Sequence, residues 1–153
     1  MRPFVSARSS SKPTPRELLF VDLLESRVML STVQIIAAGA EGGESMQLQI
    51  NGNAANTWTV GAGADQQQFQ TYTYNTANSV TADQVRIAFT NDLFDAGNGV
   101  DRNLRVDAIV IDGARFETEA ASVFSTGTWK SEDGVQAGFR QSETLHANGY
   151  FQF

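Results

Sequence analysis

The chain has 153 residues, 41% hydrophobic and 18% charged, a composition that predicts one folded domain with its own core. It has no cysteines, which excludes disulfides and thiolate chemistry. Residues 1–31 carry five Lys/Arg and three Asp/Glu, whereas residues 32–153 carry six and fourteen. Because nucleic-acid affinity depends on clustered basic residues, this acidic body argues against a nucleic-acid partner and is compatible with cation binding.

The first 31 residues differ in composition from the rest. Residues 1–15 are rich in Ser, Arg and Pro and lack apolar periodicity, which predicts disorder. In residues 17–31 apolar side chains recur on one helical face, which predicts a short amphipathic helix. Charged residues interrupt this run, so it lacks the continuous apolar core of a secretory signal peptide and cannot span a bilayer.

Residues 24–31 read LESRVMLS. This stretch resembles the LEPR-XLL segment, a short N-terminal element of extracellular proteins of planctomycete bacteria, with Ser26 at the usual Pro and Met29 at a frequent Leu. The resemblance implies export, with residues 1–31 as a targeting segment and residues 32–153 as the domain. The alternative is an ordinary amphipathic helix that packs on the domain.

From Thr32 onward, short strands alternate with turns. Asn51-Gly52 predicts a hairpin turn, with a loop that either closes there or extends through Ala55. The apolar second half of residues 104–111 predicts a central strand. Phe69 is out of phase with the tyrosines that follow it, which predicts a bulge or a change of face near residues 70–71. Strands are predicted at residues 33–38, 46–50, 57–60, 68–74, 84–90, 104–111, 114–119 and 148–153. This pattern predicts an all-β fold, an antiparallel β-sandwich of the jelly-roll type, behind a disordered or helical N-terminal segment.

The loop before the predicted central strand is dense in oxygen-bearing side chains. Residues 91–107 read NDLFDAGNGVDRNLRVD, and Gly97 and Gly99 let the backbone turn sharply between the acids. Ca²⁺ takes six to eight oxygens from carboxylates, amides and carbonyls, all of which this loop offers. EF-hand spacing is absent, and the alternative is a solvated turn, because Asp and Asn favour turns.

Three stretches together resemble the calcium-dependent xylan-binding modules of the CBM60 family and its relative CBM36. They are AEGGESMQL at residues 40–48, FTND with DRNLRVDAIVIDG within residues 89–113, and TGTW with ETLHANGYF within residues 126–151. Two departures are Thr144, where the family often has Trp, and Ala147, where it often has a disulfide-bonded Cys. The resemblance implies a β-sandwich that binds polysaccharide, with Ca²⁺ coordinating sugar hydroxyls, and does not imply catalysis.

The resemblance also implies the metal ligands. Asp92, Asp101 and Asn103 stand where the family places side-chain ligands, and the Arg102 carbonyl is the expected backbone ligand. Asp95 is an added candidate from the same loop.

Three further residues of the loops are candidates for contact with the sugar. Phe94 and Trp129 are aromatic rings that either cover a sugar face or pack within their loops. Asn91 is the third candidate and lies at the start of the loop of residues 91–103, which is called the metal loop below.

Other polar residues are expected to have structural roles. Asp107 lies inside a strand and is expected to pair with an Arg or with backbone. Glu41 and Glu44 either hold a second, structural calcium or form an acidic turn, and we favour the turn. His146 is the only histidine, so a Ser-His-Asp set or a zinc site cannot be argued, and a structural hydrogen-bonding role is expected.

These observations predict a secreted, non-catalytic carbohydrate-binding module for β-linked polysaccharide such as xylan, with Ca²⁺ as cofactor, no membrane insertion, and a place in a larger extracellular assembly. The alternative is a structural or adhesion module of the cell surface that calcium only rigidifies. A glycosidase needs two carboxyl groups flanking a cleft, and a sandwich of ~120 residues has little room for one.

Overall fold

The computed structural model describes residues 30–63 and 68–153. The predicted disordered stretch, the amphipathic helix and the LEPR-XLL-like segment lie largely or wholly in residues 1–29, outside the described residues. The described chain is built from antiparallel sheets, and its one helical element is the short 3₁₀ helix Ala82–Gln84. The predicted all-β antiparallel sandwich is confirmed.

The strands run in chain order as follows: β1 Ser31–Gly39, β2 Glu44–Ile50, β3 Asn53–Val60, β4 Gln70–Thr76, β5 Val85–Phe89, β6 Phe94–Asp95, β7 Val100–Asp101, β8 Leu104–Ile111, β9 Ala114–Glu117, β10 Phe124–Ser125, β11 Trp129–Lys130, β12 Gly134–Val135, β13 Thr144–Leu145 and β14 Gly149–Gln152. One sheet has the order β13-β8-β1-β4, with β9 also paired to β8. The other has the order β10-β14-β5-β2-β3, and β6–β7 and β11–β12 are separate hairpins.

The core lies between the two sheets. Burial alternates along β2 and along the first halves of β1 and β8, so the period of two in the sequence becomes two apolar faces in contact. The largest fully buried apolar side chains come from both sheets: Ile35, Met46, Leu48, Ile87, Phe89, Leu104, Ile109, Leu145 and Phe151. Trp58 is partly buried and packs against this core.

The strands differ from the prediction mainly at their ends. β3 begins at Asn53 because Asn51 and Gly52 both have positive φ, 52° and 77°, and close a two-residue hairpin loop. The bulge predicted near residues 70–71 is wrong: β4 pairs with β1 in unbroken register, and Phe69 precedes the strand. The register shifts fall instead at Leu48/Gln49 and Ile36/Ala37.

One end of the sandwich gathers the loops that concern function. β5 ends at Phe89, which pairs with both Met46 of β2 and Gly149 of β14. β8 begins at Leu104, which pairs with Gly39 at the end of β1. The loops 40–43, 90–103 and 146–148 therefore meet at this end. Within residues 30–63 and 68–153, no helix is long and apolar enough to cross a membrane.

Candidate metal site

The loop between β5 and β8 is fixed at its base by backbone hydrogen bonds. Within it, β6 and β7 form a hairpin in which Phe94 pairs with Asp101. The Arg102 N–H donates to the Leu93 carbonyl at 2.9 Å. The Asn103 carbonyl accepts the Ala40 N–H at 3.0 Å, which ties the loop to the turn after β1. The residues on either side of the hairpin are thus anchored to the sandwich.

Two side-chain oxygens in this anchored region are buried without a hydrogen-bond partner among the described residues. They are Asp92 Oδ1 and Asn103 Oδ1, each from a residue that the sequence predicts as a metal ligand. A buried oxygen that lacks a partner costs free energy, and a carboxylate oxygen costs the most. A hard cation that binds oxygen would remove this cost, so the residues present fit Ca²⁺.

Charge at this position favours a cation as well. Burial and the like charge of Asp101 raise the pKa of Asp92, and the backbone N–H of Leu93 offsets this rise only in part. Asp92 and Asp101 are therefore close enough to repel each other. No cluster of three or more His, Asp or Glu side chains suited to a metal occurs in the part of the chain that the structure describes. The side-chain oxygens available are two carboxylates and one amide.

The Asp95 carboxylate is hydrogen-bonded within its own turn. Its carboxylate accepts the Asn98 side-chain N–H at 2.6 Å and the Gly97 backbone N–H at 3.1 Å. The hydrogen bonds from the Asn98 side chain and backbone lower the pKa of Asp95. Asp95 thus stabilises the β6–β7 turn, and its role as a metal ligand stays a prediction.

Asn91 and Arg102 contribute through contacts around the site. The Asn91 Oδ1 accepts the Ser45 N–H at 2.6 Å, and its Nδ2 donates to the Gly43 carbonyl at 2.8 Å. Its amide therefore fastens the metal loop to β2, and contact with a sugar stays a prediction. The Arg102 carbonyl lies between Asp101 and Asn103 in the chain, and its role as a ligand is likewise a prediction.

Both predicted aromatic contacts are exposed. Phe94 is 72% exposed and Trp129 is 51% exposed. Phe94 lies opposite Asp101 in the hairpin. The Trp129 N–H donates to His146 Nδ1 at 3.1 Å, and their rings meet edge to face at 6.3 Å. Burial lowers the pKa of His146, while the charge of Asp101 opposes the shift. His146 lines the same small cleft as Asn103, which places His146 and its partner Trp129 near the metal loop.

Residues outside the predicted set also support the site. Asn148 Oδ1 accepts the Asp92 N–H at 2.9 Å and so joins the loop before β14 to the metal loop. No signal in the sequence points to this contact, because Asn is common in any turn. The predicted partner of Asp107 is confirmed as Arg115, whose Nη2 lies 2.7 Å from Asp107 Oδ2.

Glu44 is fully buried at the start of β2, although the sequence favoured a plain acidic turn for Glu41 and Glu44. Its Oε1 accepts the Glu41 N–H at 2.9 Å, whereas its Oε2 is buried without a partner among the described residues. A side chain at Gly39 would overlap this carboxylate. The sequence contains a signal for this burial: Glu44 is two and four residues from the inward-facing Met46 and Leu48, and alternate residues of a strand share one face.

The model of the CBM60 family, described as a Ca-dependent, xylan-binding carbohydrate-binding module, matches residues 32–126. The chain belongs to the CBM60 family. It is therefore a carbohydrate-binding module built as a β-sandwich. The matched residues include the whole loop from β5 to β8 and its buried, unpartnered oxygens.

This CBM60 module is similar to two solved structures. One is vCBM60 in complex with galactobiose, at 33% identity and a TM-score of 0.62, over 79% of this chain and 96% of that chain. The other is selenomethionine vCBM60, at 36% identity and a TM-score of 0.62, over 79% and 87% of the two chains. That structure is described as linking, by circular permutation, two families of calcium-dependent carbohydrate-binding modules.

Two curated relatives come from Cellvibrio japonicus. A bifunctional xylanase/xylan deacetylase is 29% identical over 121 residues, which cover 79% of this chain and 16% of that protein. The endo-1,4-beta-xylanase Xyn11B is 29% identical over 117 residues, which cover 76% of this chain and 28% of that protein. The match thus spans less than a third of either relative.

Proposed function

We propose that this CBM60 module binds β-linked polysaccharide, xylan or a related glycan, through Ca²⁺ held by Asp92, Asp101 and Asn103. The observation that carries the proposal is the pair of buried, unpartnered oxygens on Asp92 and Asn103. When bound, Ca²⁺ supplies coordination positions that sugar hydroxyl oxygens can fill. The family description as Ca-dependent and xylan-binding supports both the metal and the ligand class.

The chain's own residues hold and frame this site. The Arg102 carbonyl is a further proposed ligand, and Asp95 is a weaker one because its own turn engages its oxygens. Asn91 keeps the loop against β2. The exposed ring of Phe94 lies opposite Asp101 in the hairpin, and the exposed ring of Trp129 contacts His146. Both rings can cover the apolar face of a sugar.

The proposal includes a non-catalytic role outside the cell. The xylanase relatives support it, because this chain matches only a minority of each. The sequence predicts a boundary after residue 31, but β1 begins at Ser31, so we propose that the targeting segment lies within residues 1–30 and that the module begins at Ser31. In this proposal the module is extracellular or at the cell surface, as part of a larger polysaccharide-binding assembly.

Calorimetry tests this function with xylo-, gluco- and galacto-oligosaccharides, each in calcium and in EDTA. We expect binding in calcium that EDTA abolishes. Binding that EDTA leaves unchanged would contradict the metal-mediated mode. Calcium-dependent thermal stabilisation without binding to any glycan would favour the structural or adhesion module. Release of reducing sugar from the polysaccharides would contradict the non-catalytic role.

A further inference from the structure

A small cleft lies beside the candidate metal site, between the end of β1 and the loop before β14. Its volume is about 120 Å³, and its walls include residues 38–40, Asn103, Arg105, Thr144 and His146. Pockets for whole ligands are typically a few hundred Å³ or more. This cleft therefore admits a substituent of a sugar and excludes a complete ring.

The contacts of His146 determine which of its ring nitrogens can donate a hydrogen bond. His146 Nδ1 accepts the backbone N–H of Trp129, so it carries no proton. In the neutral imidazole the proton is then on Nε2, which is a hydrogen-bond donor. Among residues 30–63 and 68–153, the hydrogen bond shown at the His146 ring is the one to Nδ1, and His146 is one of the residues that line the cleft. The main chain at His146 is fixed by its backbone N–H, which donates to the Gly127 carbonyl at 2.8 Å.

Asn103 connects this cleft to the metal site. It lines the cleft, and its Oδ1 is one of the two buried, unpartnered oxygens proposed to hold Ca²⁺. A sugar with hydroxyls on the metal would therefore have a substituent within reach of the cleft. The guanidinium of Arg105, on the same wall, is paired with the Glu143 carboxylate.

We propose that this cleft is a subsite for the exocyclic oxygen of a hexose-type sugar, with His146 Nε2–H as the donor to that oxygen. The inference rests on the proposed calcium-mediated binding. A hydroxymethyl group and a uronic carboxylate both present such an oxygen, whereas xylose has neither. The subsite would therefore favour hexose-containing glycans over unsubstituted xylan.

Two substitutions separate the roles of the two ring nitrogens. In His146→Asn, the amide oxygen replaces Nδ1 as acceptor for the Trp129 N–H, but the side chain does not reach the position of Nε2. In His146→Gln, the amide nitrogen can occupy the position of Nε2 and donate. The full 153-residue chain and both variants are titrated in calcium with galactobiose, digalacturonic acid and xylobiose. Calcium affinity and thermal unfolding are measured on the same samples.

We expect His146→Asn to weaken binding of galactobiose about fivefold, as for loss of one hydrogen bond, and to leave xylobiose and calcium affinity unchanged. His146→Gln should retain most of the galactobiose affinity. A matching loss for digalacturonic acid would add carboxylates to the ligand class, and a loss for galactobiose alone would restrict the subsite to hydroxymethyl groups. A ligand-side measurement does not depend on how the variants fold: 6-deoxygalactobiose should bind the unmodified chain about fivefold more weakly than galactobiose.

Equal weakening of galactobiose and xylobiose in His146→Asn would overturn the inference, because His146 would then act through Trp129. Unchanged affinity for all three sugars, or equal binding of galactobiose and its 6-deoxy form, would overturn it too. Either result would leave the proposed function standing, provided that EDTA abolishes binding to the unmodified chain. If EDTA has no effect on that binding, the proposed function fails and the subsite fails with it.

Discussion

The Asp92 carboxylate is partly buried and close to a second negative charge, and both conditions are unfavourable for its ionised form when no cation is bound. Its Oδ1 is buried and unpartnered, and burial together with the charge of Asp101 raises its pKa. A raised pKa in the folded state means that the folded protein holds this proton more tightly than the unfolded chain. In the metal-free protein, the contribution of Asp92 to the free energy of unfolding should therefore fall as pH rises from 3.8 through the raised pKa, and should not recover above it.

The first prediction is that Asp92→Asn changes stability in opposite directions with and without calcium. In EDTA at neutral pH, loss of the charge should raise the melting temperature, because the cost of burying the carboxylate and its repulsion with Asp101 both disappear. In millimolar calcium the variant should lose the rise in melting temperature that the parent shows. A bound metal adds about 2.7 kcal/mol at a hundredfold excess over its Kd. Differential scanning calorimetry in both conditions measures the two effects.

Asp95→Asn is the matched control from the same loop. Its carboxylate accepts hydrogen bonds within its own turn, and these lower its pKa. Neutralising it should therefore lower the melting temperature in EDTA, opposite in sign to Asp92→Asn. If both variants shift the melting temperature the same way in EDTA, the assignment of unfavourable charge to Asp92 is wrong.

A second prediction concerns Asp101→Ala. Asp101 is exposed at the mouth of the site and immediately precedes the anchored segment before β8. Removing a carboxylate ligand lowers site charge and ligand number, which tune calcium affinity over orders of magnitude. We expect calcium affinity to fall at least about tenfold and EDTA-sensitive glycan binding to fall with it. Circular dichroism should still show the folded sandwich, because β8 is held by apolar burial.

Glu119→Ala is the control for Asp101→Ala. Glu119 is exposed in the turn after β9 and is outside the proposed set of metal ligands. Its removal also reduces the negative charge by one but should leave calcium and glycan affinity unchanged. Equal losses in both variants would indicate a general effect of charge on binding and would contradict a ligand role for Asp101.

At the scale of the strands, the sequence predicted the fold better than it predicted the uses of individual acids. Alternation located β2, and Asn51-Gly52 located the β2–β3 hairpin, because both signals are local. The roles of Asn91 and Asp95 could not be predicted from such local patterns. Asp and Asn can cap turns, bind neighbouring backbone or hold a metal with the same oxygens, so only their surroundings distinguish these uses.

A third prediction concerns the close approach of β14 to residues 126–128. A Cβ atom at Gly149 would lie 2.6 Å from the Gly127 nitrogen and 2.8 Å from Thr126 Oγ1. Gly149→Ala should therefore push these segments apart and destabilise the fold by about 1–3 kcal/mol. Calcium affinity should also fall, because the neighbouring Asn148 holds the Asp92 N–H. Urea unfolding and a calcium titration measure these effects.

Gly138→Ala is the matched control for Gly149→Ala. The nearest atom to a Cβ at Gly138 is Arg140 Cδ at 3.7 Å, an ordinary contact distance. We expect stability and calcium affinity close to those of the parent. If Gly149→Ala is as stable as Gly138→Ala, the two segments are not tightly packed against each other.

At the scale of the whole molecule, the sheets bring together segments that are far apart in sequence. The turn after β1, the metal loop and the segment before β14 meet because β1 pairs with β8, and β5 pairs with both β2 and β14. Spacing along the chain does not reveal this meeting point. The likeness to CBM60 pointed to it. The structure places Asp92, Asp101 and Asn103 at this one end of the sandwich, and their role as metal ligands stays a prediction. The likeness did not identify Asn148 or the burial of Glu44.

The opposite end of the sandwich defines where the folded domain begins. β1 starts at Ser31, one residue before the boundary predicted from composition. Ser31 is buried, and its Oγ donates to Asp112 Oδ2 at 3.0 Å and accepts the Val80 N–H at 3.2 Å. These contacts join the start of β1 to the turns at this end, so the side chain of Ser31 belongs to the domain.

The fourth prediction compares deletions that differ by this one residue. Removal of residues 1–30 should leave a cooperatively unfolding, calcium-responsive domain, because the described core begins at Val33. Removal of residues 1–31 should cost a further 1–3 kcal/mol, approximately, because the Val80 N–H and the Asp112 carboxylate lose a buried partner. Ser31→Ala in the full chain should reproduce most of this cost if the hydroxyl is responsible. Urea unfolding of the three proteins gives the comparison.

Loss of cooperative unfolding on removal of residues 1–30 would instead show that the amphipathic segment, residues 17–30, packs on the sandwich as part of its fold.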